Sequence, residues 1–199
     1  MGVFGGAFDP PHQAHVALAL AAIEQLKLDV LKIVPTGDAW HKERVLSDPV
    51  HRLTMSELAF SGLPQVEVDD QELQRTGPSF TIDTLEALKT GRSDSQLYLL
   101  IGEDQFAAFR HWHRWRDILQ IAIICIAARA HSERAQAQID DKEMAAGSFL
   151  RLNLPLMSLS ATKIRQQIAS GKHTLQELTQ LVPPAVARYI SLHRLYSAS

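Results

Sequence analysis

Apolar positions in this chain fall into short runs separated by longer stretches of helical spacing. Val3-Phe4, Val30-Leu31-Lys32-Ile33-Val34, Val66-Glu67-Val68, Leu97 to Ile101 and Ile121 to Ile126 read as strands. Between them, His15 to Leu28 is rich in Ala and Leu, and Pro49 to Leu63 carries Leu53, Leu58 and Phe60 along a helical stretch. Phe80 to Leu88 opens after Ser79 as a cap. Strands alternating with helices of this length imply βαβ units, a parallel sheet and right-handed crossovers. Near-continuous apolar strands such as Leu97 to Ile101 suit a sheet covered on both faces. The end of the chain differs, since Ser160 to Ala169, Thr174 to Leu181 and Pro183 to Leu195 read as three successive helices. Pro183-Pro184 suits a helix start and Gly171 a helix end. The expectation is an α/β chain with a single Rossmann-like, doubly wound parallel sheet. No linker, repeat or composition break divides residues 1–199, so one domain is expected, with a helical C-terminal part at roughly 160–199.

Composition narrows the class without naming it. The 199 residues are 46% hydrophobic and 21% charged, and 20 Lys+Arg against 22 Asp+Glu leave a net charge of −2. That length is enough to bury about 70% of the unfolded surface. The balance excludes a strongly basic nucleic-acid arm, an acidic disordered tail and a collagen-like or low-complexity chain. The single cysteine, Cys125, cannot form an internal disulfide and lies in an apolar run, where a buried, inert thiol is expected. Runs such as Ile121 to Ala128 are too short to span a bilayer, and Met1 leads into Gly2-Val3-Phe4 without a charged leader. A cytoplasmic protein with no membrane partner is expected.

Open parallel sheets bind ligands beyond the carboxyl ends of their strands. The first strand ends in Gly5-Gly6-Ala7-Phe8-Asp9-Pro10-Pro11-His12-Gln13-Ala14-His15. Glycines let backbone N–H groups approach a ligand, and a helix N-terminus favours negative charge, so this turn suits phosphate. His12 and His15 fall on one face of the first helical turn and can donate to phosphate oxygens without permanent charge. The plainer reading is a Gly-rich turn with two capping histidines. The string is not a G-x-G-x-x-G dinucleotide fingerprint, and no H-E-x-x-H or cysteine pair makes it a zinc motif.

Other segments admit two readings each. Ser160-Ala161-Thr162-Lys163-Ile164-Arg165 is by itself a capped helix start; facing the first motif, its amides, hydroxyls and guanidinium would form a second phosphate cradle. His41-Lys42 follows the second strand, where a lysine is ordinarily a solvated charge. Arg110-His111-Trp112-His113-Arg114-Trp115-Arg116 interleaves aromatics with basic residues, as single-stranded nucleic-acid binders do, yet the chain is slightly acidic and the patch small. Trp115 is assigned to packing. Asp104 stands at a strand end, where an acid more often serves function than packing. Glu67-Val68-Asp69-Asp70-Gln71-Glu72 lacks a metal-ligand pattern and reads as a solvated strand end.

Gly5-Gly6-Ala7-Phe8-Asp9-Pro10 with His12-x-x-His15 resembles the first signature of the H-x-G-H nucleotidyltransferases, and Ser160-x-Thr162-x-Ile164-Arg165 resembles their S-x-T-x-I-R signature. Between them, Pro35 to His41-Lys42, Pro78-Ser79-Phe80-Thr81-x-Asp83-Thr84-Leu85, Ile101-Gly102-x-Asp104 and Trp112 are similar to the bacterial nicotinate-nucleotide adenylyltransferases. The resemblance spans Val3 to Leu195-Tyr196. Two positions depart from it: Ala14 replaces the usual glycine of H-x-G-H, and Ala7 replaces a threonine. Alanine is compatible with the helix at the first site, and at the second the backbone N–H survives.

The resemblance implies catalytic roles for His12 and His15. It implies ATP contacts from Gly5, Gly6, Ala7, Phe8, His12, His15, Ser160, Thr162 and Arg165, with the second signature on the β- and γ-phosphates. It implies acceptor contacts from His41, Lys42, Thr81, Asp104 and Trp112, with Trp112 stacking on the pyridine ring and the Thr81 segment offering amides to its carboxylate. The Asp69, Glu72 and Arg75 pattern is taken as structural. The implied reaction is transfer of the adenylyl group of ATP to nicotinate mononucleotide, with Mg²⁺ carried by ATP rather than by a protein metal site. Monomers or small homo-oligomers are expected. Nicotinamide mononucleotide, phosphopantetheine or cytidylyl chemistry are the alternatives within the superfamily, and a non-catalytic nucleotide-binding module or an RNA-binding protein are the alternatives outside it.

Overall fold

The computed structural model describes residues 1–37, 45–91, 94–129, 148–154, 157, 159–171 and 173–197. Six strands form one sheet: β1 (Gly2–Gly6), β2 (Leu31–Pro35), β3 (Val66–Val68), β4 (Leu97–Gly102), β5 (Ala122–Arg129) and β6 (Phe149–Leu154). Their order is β3-β2-β1-β4-β5-β6, and every pairing is parallel. The helices are α1 (Gln13–Leu26), α2 (Pro49–Phe60), α3 (Gln71–Gln74), α4 (Thr81–Gly91), α5 (Glu103–Ala108), α6 (Trp115–Ile121), α7 (Ala161–Ala169), α8 (Leu175–Leu181) and α9 (Pro184–Leu192), with a 3₁₀ turn at Phe109–His111. This is the doubly wound α/β arrangement that the alternation of apolar runs predicts.

Each face of the sheet buries its own core, as strands apolar on both sides require. Phe4, Leu31, Ile33, Leu100, Cys125 and Leu152 face α1, α2 and the C-terminal helices. The C-terminal helices join that same core through Ile164, Ile168, Leu178, Val182, Val186 and Ile190. Val3, Val34, Leu99, Ile101, Ile124 and Phe149 face the opposite layer, which Ile82 and Leu85 of α4, Phe106 of α5 and Ile118 of α6 complete. Cys125 is fully buried, and burial pushes its thiol up to about 12, so it is inert as expected.

The structure departs from the sequence pattern in places. β6 lies where no strand is predicted. Ile121 closes α6, and β5 begins one residue later. On α2 the buried stripe is Arg52, Met55, Ser56, Ala59 and Phe60, with Leu53 and Leu58 only half-buried. The acidic run is not simply solvated. Lys32 pairs with Glu67 at 2.7 Å and Asp69 at 3.5 Å, and Glu72 is 7% exposed. Glu72 accepts from Thr84 Oγ1 at 2.7 Å, while Arg75 donates to Thr84 Oγ1 and Gln71 Oε1, so the Asp69–Arg75 segment does serve structure. Burial raises the Glu72 carboxyl above its usual range. Gly37 belongs to this packing, because a Cβ there would run into the Glu72 carbonyl and sit 2.8 Å from Ser79 Oγ.

Candidate active site

The order of strands reverses between β1 and β4, and there the sheet opens. β1 pairs with β2 along its full length, Gly2 to Gly6, but with β4 only at Gly2↔Tyr98 and Val3↔Leu99. Beyond Val3 the two strands part, leaving a crevice at their carboxyl ends, the place where open α/β sheets take ligands. Gly5 is exposed, and a Cβ on it would meet nothing closer than the Val34 carbonyl at 4.0 Å. Gly102, across the crevice, likewise has nothing within 4 Å of such a Cβ.

The chain leaves β1 through Gly6, Ala7 and Phe8 and enters α1 at His12, which is the N-cap in extended conformation, φ −139° and ψ 172°. The imidazoles of His12 and His15 stack at 3.7 Å with 17° between planes, so the two rings share one face as their spacing predicts. The His12 amide donates to His15 Nδ1 at 3.1 Å. A neutral His15 therefore carries its proton on Nε2. His12 is 6% exposed, and its Nδ1 has no hydrogen-bond partner among the described residues. Burial depresses its pKa from 6.5 to about 4, so this ring is neutral near pH 7. Phe8, 2% exposed, sets its ring edge-on to Phe4, His15 and Phe60 at 5.4, 5.2 and 6.0 Å, which anchors the loop to the core below.

Beneath the loop lie polar groups that sequence reasoning missed. Arg52 is 1% exposed; Nη1 donates to the Thr36 carbonyl at 2.6 Å and the Ala7 carbonyl at 3.3 Å, and Nε to the Ser47 carbonyl at 2.9 Å. Asp9 is 1% exposed and accepts the Ser47 amide at 3.2 Å and the Tyr196 hydroxyl at 2.6 Å. The one available signal for Arg52 is its spacing, since it lies on the stripe of Met55, Ser56 and Ala59.

The second signature meets the first. Ser160 is the N-cap of α7, and its Oγ accepts the Lys163 amide at 3.3 Å. Arg165 spreads its guanidinium between the two motifs, Nη1 on the Asp9 carbonyl at 2.7 Å and Nη2 on Thr162 Oγ1 at 3.1 Å. Residues 156 apart in sequence thus present one donor-rich surface of amides, imidazole and guanidinium.

The acceptor candidates fall on the β4 side. Asp104 lies in the first turn of α5, after Gly102, and is exposed. Thr81 opens α4, where amides point out of the helix. Phe80 lies tilted against His113, with centroids 4.4 Å apart and 33° between planes, which brings the Thr81 segment beside the Trp112 segment. Trp112 is half-buried and leans on Phe109 at 5.6 Å. Trp115 packs on the same Phe109 at 6.1 Å, with the Arg116 guanidinium 4.4 Å over its ring, in line with a packing role. His41 and Lys42 lie outside the described residues. Among the described residues no group of three or more His, Cys, Asp or Glu side chains is placed to hold a metal, and no helix is long and apolar enough to cross a membrane.

Comparison with known proteins places this geometry in a family. The profile of the cytidylyltransferase-like family matches residues 3–167. A protein of Albidiferax ferrireducens named "Probable nicotinate-nucleotide adenylyltransferase" is 49% identical over 199 residues, covering 100% of this chain and 98% of that one. A protein of the same name from Bordetella petrii is 39% identical, covering 98% of both. Solved structures of the Plasmodium falciparum nicotinic acid mononucleotide adenylyltransferase, one complexed with APC and one with NaAD, superpose with a TM-score of 0.77. Each covers 98% of this chain and 96% of its own at 19% identity, a likeness of fold. By profile and by full-length relatives, the chain belongs to the cytidylyltransferase-like family, among its nicotinate-nucleotide adenylyltransferases.

Proposed function

We propose that this chain transfers the adenylyl group of ATP to nicotinate mononucleotide, giving nicotinate adenine dinucleotide (deamido-NAD) and pyrophosphate in NAD biosynthesis, and that the whole chain is one catalytic unit. The observation that carries this reading is the crevice between β1 and β4, with stacked His12 and His15 at one lip and Arg165 tying the two signatures together. A phosphate oxygen of the mononucleotide attacks the α-phosphorus of ATP in line. The bond to the bridging oxygen breaks, and pyrophosphate leaves with the electron pair. Such a transfer rewards positioning and charge stabilisation and needs no covalent enzyme intermediate.

The chain's own groups supply both. The amides of the Gly5–Phe8 turn and the α1 N-terminus receive the phosphates. His15 donates from Nε2, the nitrogen that its contact with the His12 amide leaves protonated. Neutral His12 donates without the repulsion that two stacked imidazolium ions would bring. Ser160, Thr162 and Arg165 take the β- and γ-phosphates. Mg²⁺ enters as the MgATP substrate, held by phosphate oxygens and water. On the acceptor side, the indole of Trp112 stacks on the cationic pyridine ring, an attraction worth ~0.5–2 kcal/mol. Asp104 takes ribose hydroxyls, the Thr81 amides take the nicotinate carboxylate, and His41 and Lys42 contribute to phosphate. The alternation of aromatic and basic residues from Arg110 to Arg116 is absorbed here by packing on Phe109 and by ion pairs of Arg114 with Glu86 and Asp117 at 2.7 Å, so a nucleic-acid partner is not proposed.

Label tracing tests the reaction. ATP labelled at the α-phosphorus delivers its label to the dinucleotide, and ATP labelled at the γ-phosphorus delivers it to pyrophosphate. Label retained in ATP, or found on the protein, overturns the reading.

A further inference from the structure

The C-terminal end of the chain returns to the phosphate loop. Tyr196, four residues past the end of α9, reaches back 187 residues to donate its hydroxyl to Asp9 Oδ1 at 2.6 Å. The other carboxylate oxygen of Asp9 accepts the Ser47 amide, and its backbone carbonyl accepts Arg165 Nη1 at 2.7 Å. Asp9 is thus the knot between the segment leading into α2, α7 and the tail, and it is 1% exposed. Both ends of the Tyr196–Asp9 bond sit beside unusual backbone. Phe8, next to Asp9, has φ 46°, and Tyr196 itself has φ 63°. Bulky residues persist in the left-handed region only where their surroundings over-determine them, and such positions gather at functional sites. The Tyr196 ring packs against the core of α1 and the C-terminal helices, a task that phenylalanine would perform equally well. The hydroxyl adds the contact to Asp9, a hydrogen bond with the Ser47 side chain and a 3.9 Å approach to Met55 Sδ.

We propose that Tyr196 is a positioning residue for adenylyl transfer: by holding the Asp9 carboxylate it fixes the Asp9 backbone, and with it the place where Arg165 and the Phe8–His12 loop meet the ATP phosphates. The inference rests on the phosphate-site reading given above. Burial, reinforced by the neighbouring carboxylate, pushes the tyrosine hydroxyl well above its ordinary pKa, so it remains a donor at every working pH. Without it, a buried carboxylate loses a charge-assisted donor and turns toward the next cation available, the Arg165 guanidinium. The fork would then be drawn away from Thr162 and from the phosphates.

Tyr196→Phe isolates the hydroxyl. In steady-state kinetics on the full chain, kcat/KM for ATP falls roughly 10- to 100-fold, the worth of one hydrogen bond to a charged group. The KM for nicotinate mononucleotide stays near native, and the urea midpoint falls by no more than the loss of one buried hydrogen bond accounts for. In a double-mutant cycle with Arg165→Lys the two losses are less than additive, because both act on Asp9. Native kinetics in Tyr196→Phe overturn the inference. So does a loss shared equally between the two substrates that follows a fall in urea midpoint, since that is the mark of a purely structural residue. If the native chain turns over no acceptor, the proposed reaction fails, and Tyr196 is then judged by calorimetry with a non-hydrolysable ATP analogue. Weaker binding in Tyr196→Phe upholds the positioning role, and equal binding overturns it.

Discussion

Around the proposed phosphate loop, Asp9, Arg52 and His12 are 1%, 1% and 6% exposed; Arg52 and Arg165 donate to the Ala7 and Asp9 carbonyls, and the Ser47 amide and Tyr196 hydroxyl to the Asp9 carboxylate. Around the proposed acceptor end, Asp104 is exposed, Trp112 is half-buried, and the α4 and Trp112 segments are joined by a ring contact of Phe80 with His113 and an exposed ion pair of Arg114 with Glu86. The contrast follows from what each end is asked to do. Charge develops at the phosphates during transfer, and donors stabilise it only if they are already in place, so rigidity there lowers the barrier. On the proposed reading, the pyridine end selects and orients a ring that does not react. Stacking tolerates small displacements, and an open aromatic face suffices.

Substitutions at the two ends should therefore differ in kind. The largest effect is expected at His15→Ala, which removes the proposed donor to developing charge: kcat falls by roughly 10²–10³. The fold loses the hydrogen bond from the His12 amide and the ring contacts with His12 and Phe8, about 1–2 kcal/mol by urea titration. Turnover near native in this folded variant removes His15 from the mechanism. Next comes Arg52→Ala, which leaves three carbonyls without their cation and costs roughly 3 kcal/mol in stability. An unchanged urea midpoint would show that the buried arginine does not hold the loop. At the other end, Trp112→Ala should raise the KM for nicotinate mononucleotide up to about 30-fold, in line with ~2 kcal/mol of ring stacking, and leave the KM for ATP alone. A rise in the KM for ATP instead would erase the division between the two ends.

The smallest effect concerns pH. His12 titrates at 6.5 when unfolded and at about 4 in the folded chain, so between those values the unfolded state binds more protons. Its full contribution is present above pH 6.5 and is lost as pH falls toward 4, about 1 kcal/mol having gone by pH 5.5. Urea titrations of the native chain and His12→Gln between pH 7 and 5.5 should diverge by that amount. Parallel curves would mean that His12 is not buried neutral.

The sheet and the two signatures were legible because their signals are local. Continuous apolar runs mark β4 and β5, and Ser160 caps α7 where a helix start is predicted. β6 escaped although Leu150-Arg151-Leu152-Asn153-Leu154 alternates as a half-buried edge strand does, because it lacks the continuous apolar run that marks the central strands. Arg52 and Tyr196 escaped for another reason. Their partners are carbonyls and a carboxylate far away in sequence, and nothing in the local pattern distinguishes a buried arginine from a solvated one. The bond of Arg165 to the Asp9 carbonyl is also non-local; the two strings suggested that the signatures face each other, and the bond itself emerges only from the fold.

The claim at the centre is that the rigid end accepts MgATP and the aromatic end selects a nicotinate mononucleotide. Initial rates of pyrophosphate release test it most directly, with MgATP and equal concentrations of nicotinate mononucleotide, nicotinamide mononucleotide and phosphopantetheine. Release should be fast with the nicotinate form and at least tenfold slower with the other two, because donors placed for a carboxylate are left unmatched by an amide. Faster release with nicotinamide mononucleotide or phosphopantetheine, or none with any acceptor from a folded chain that binds ATP, would contradict it.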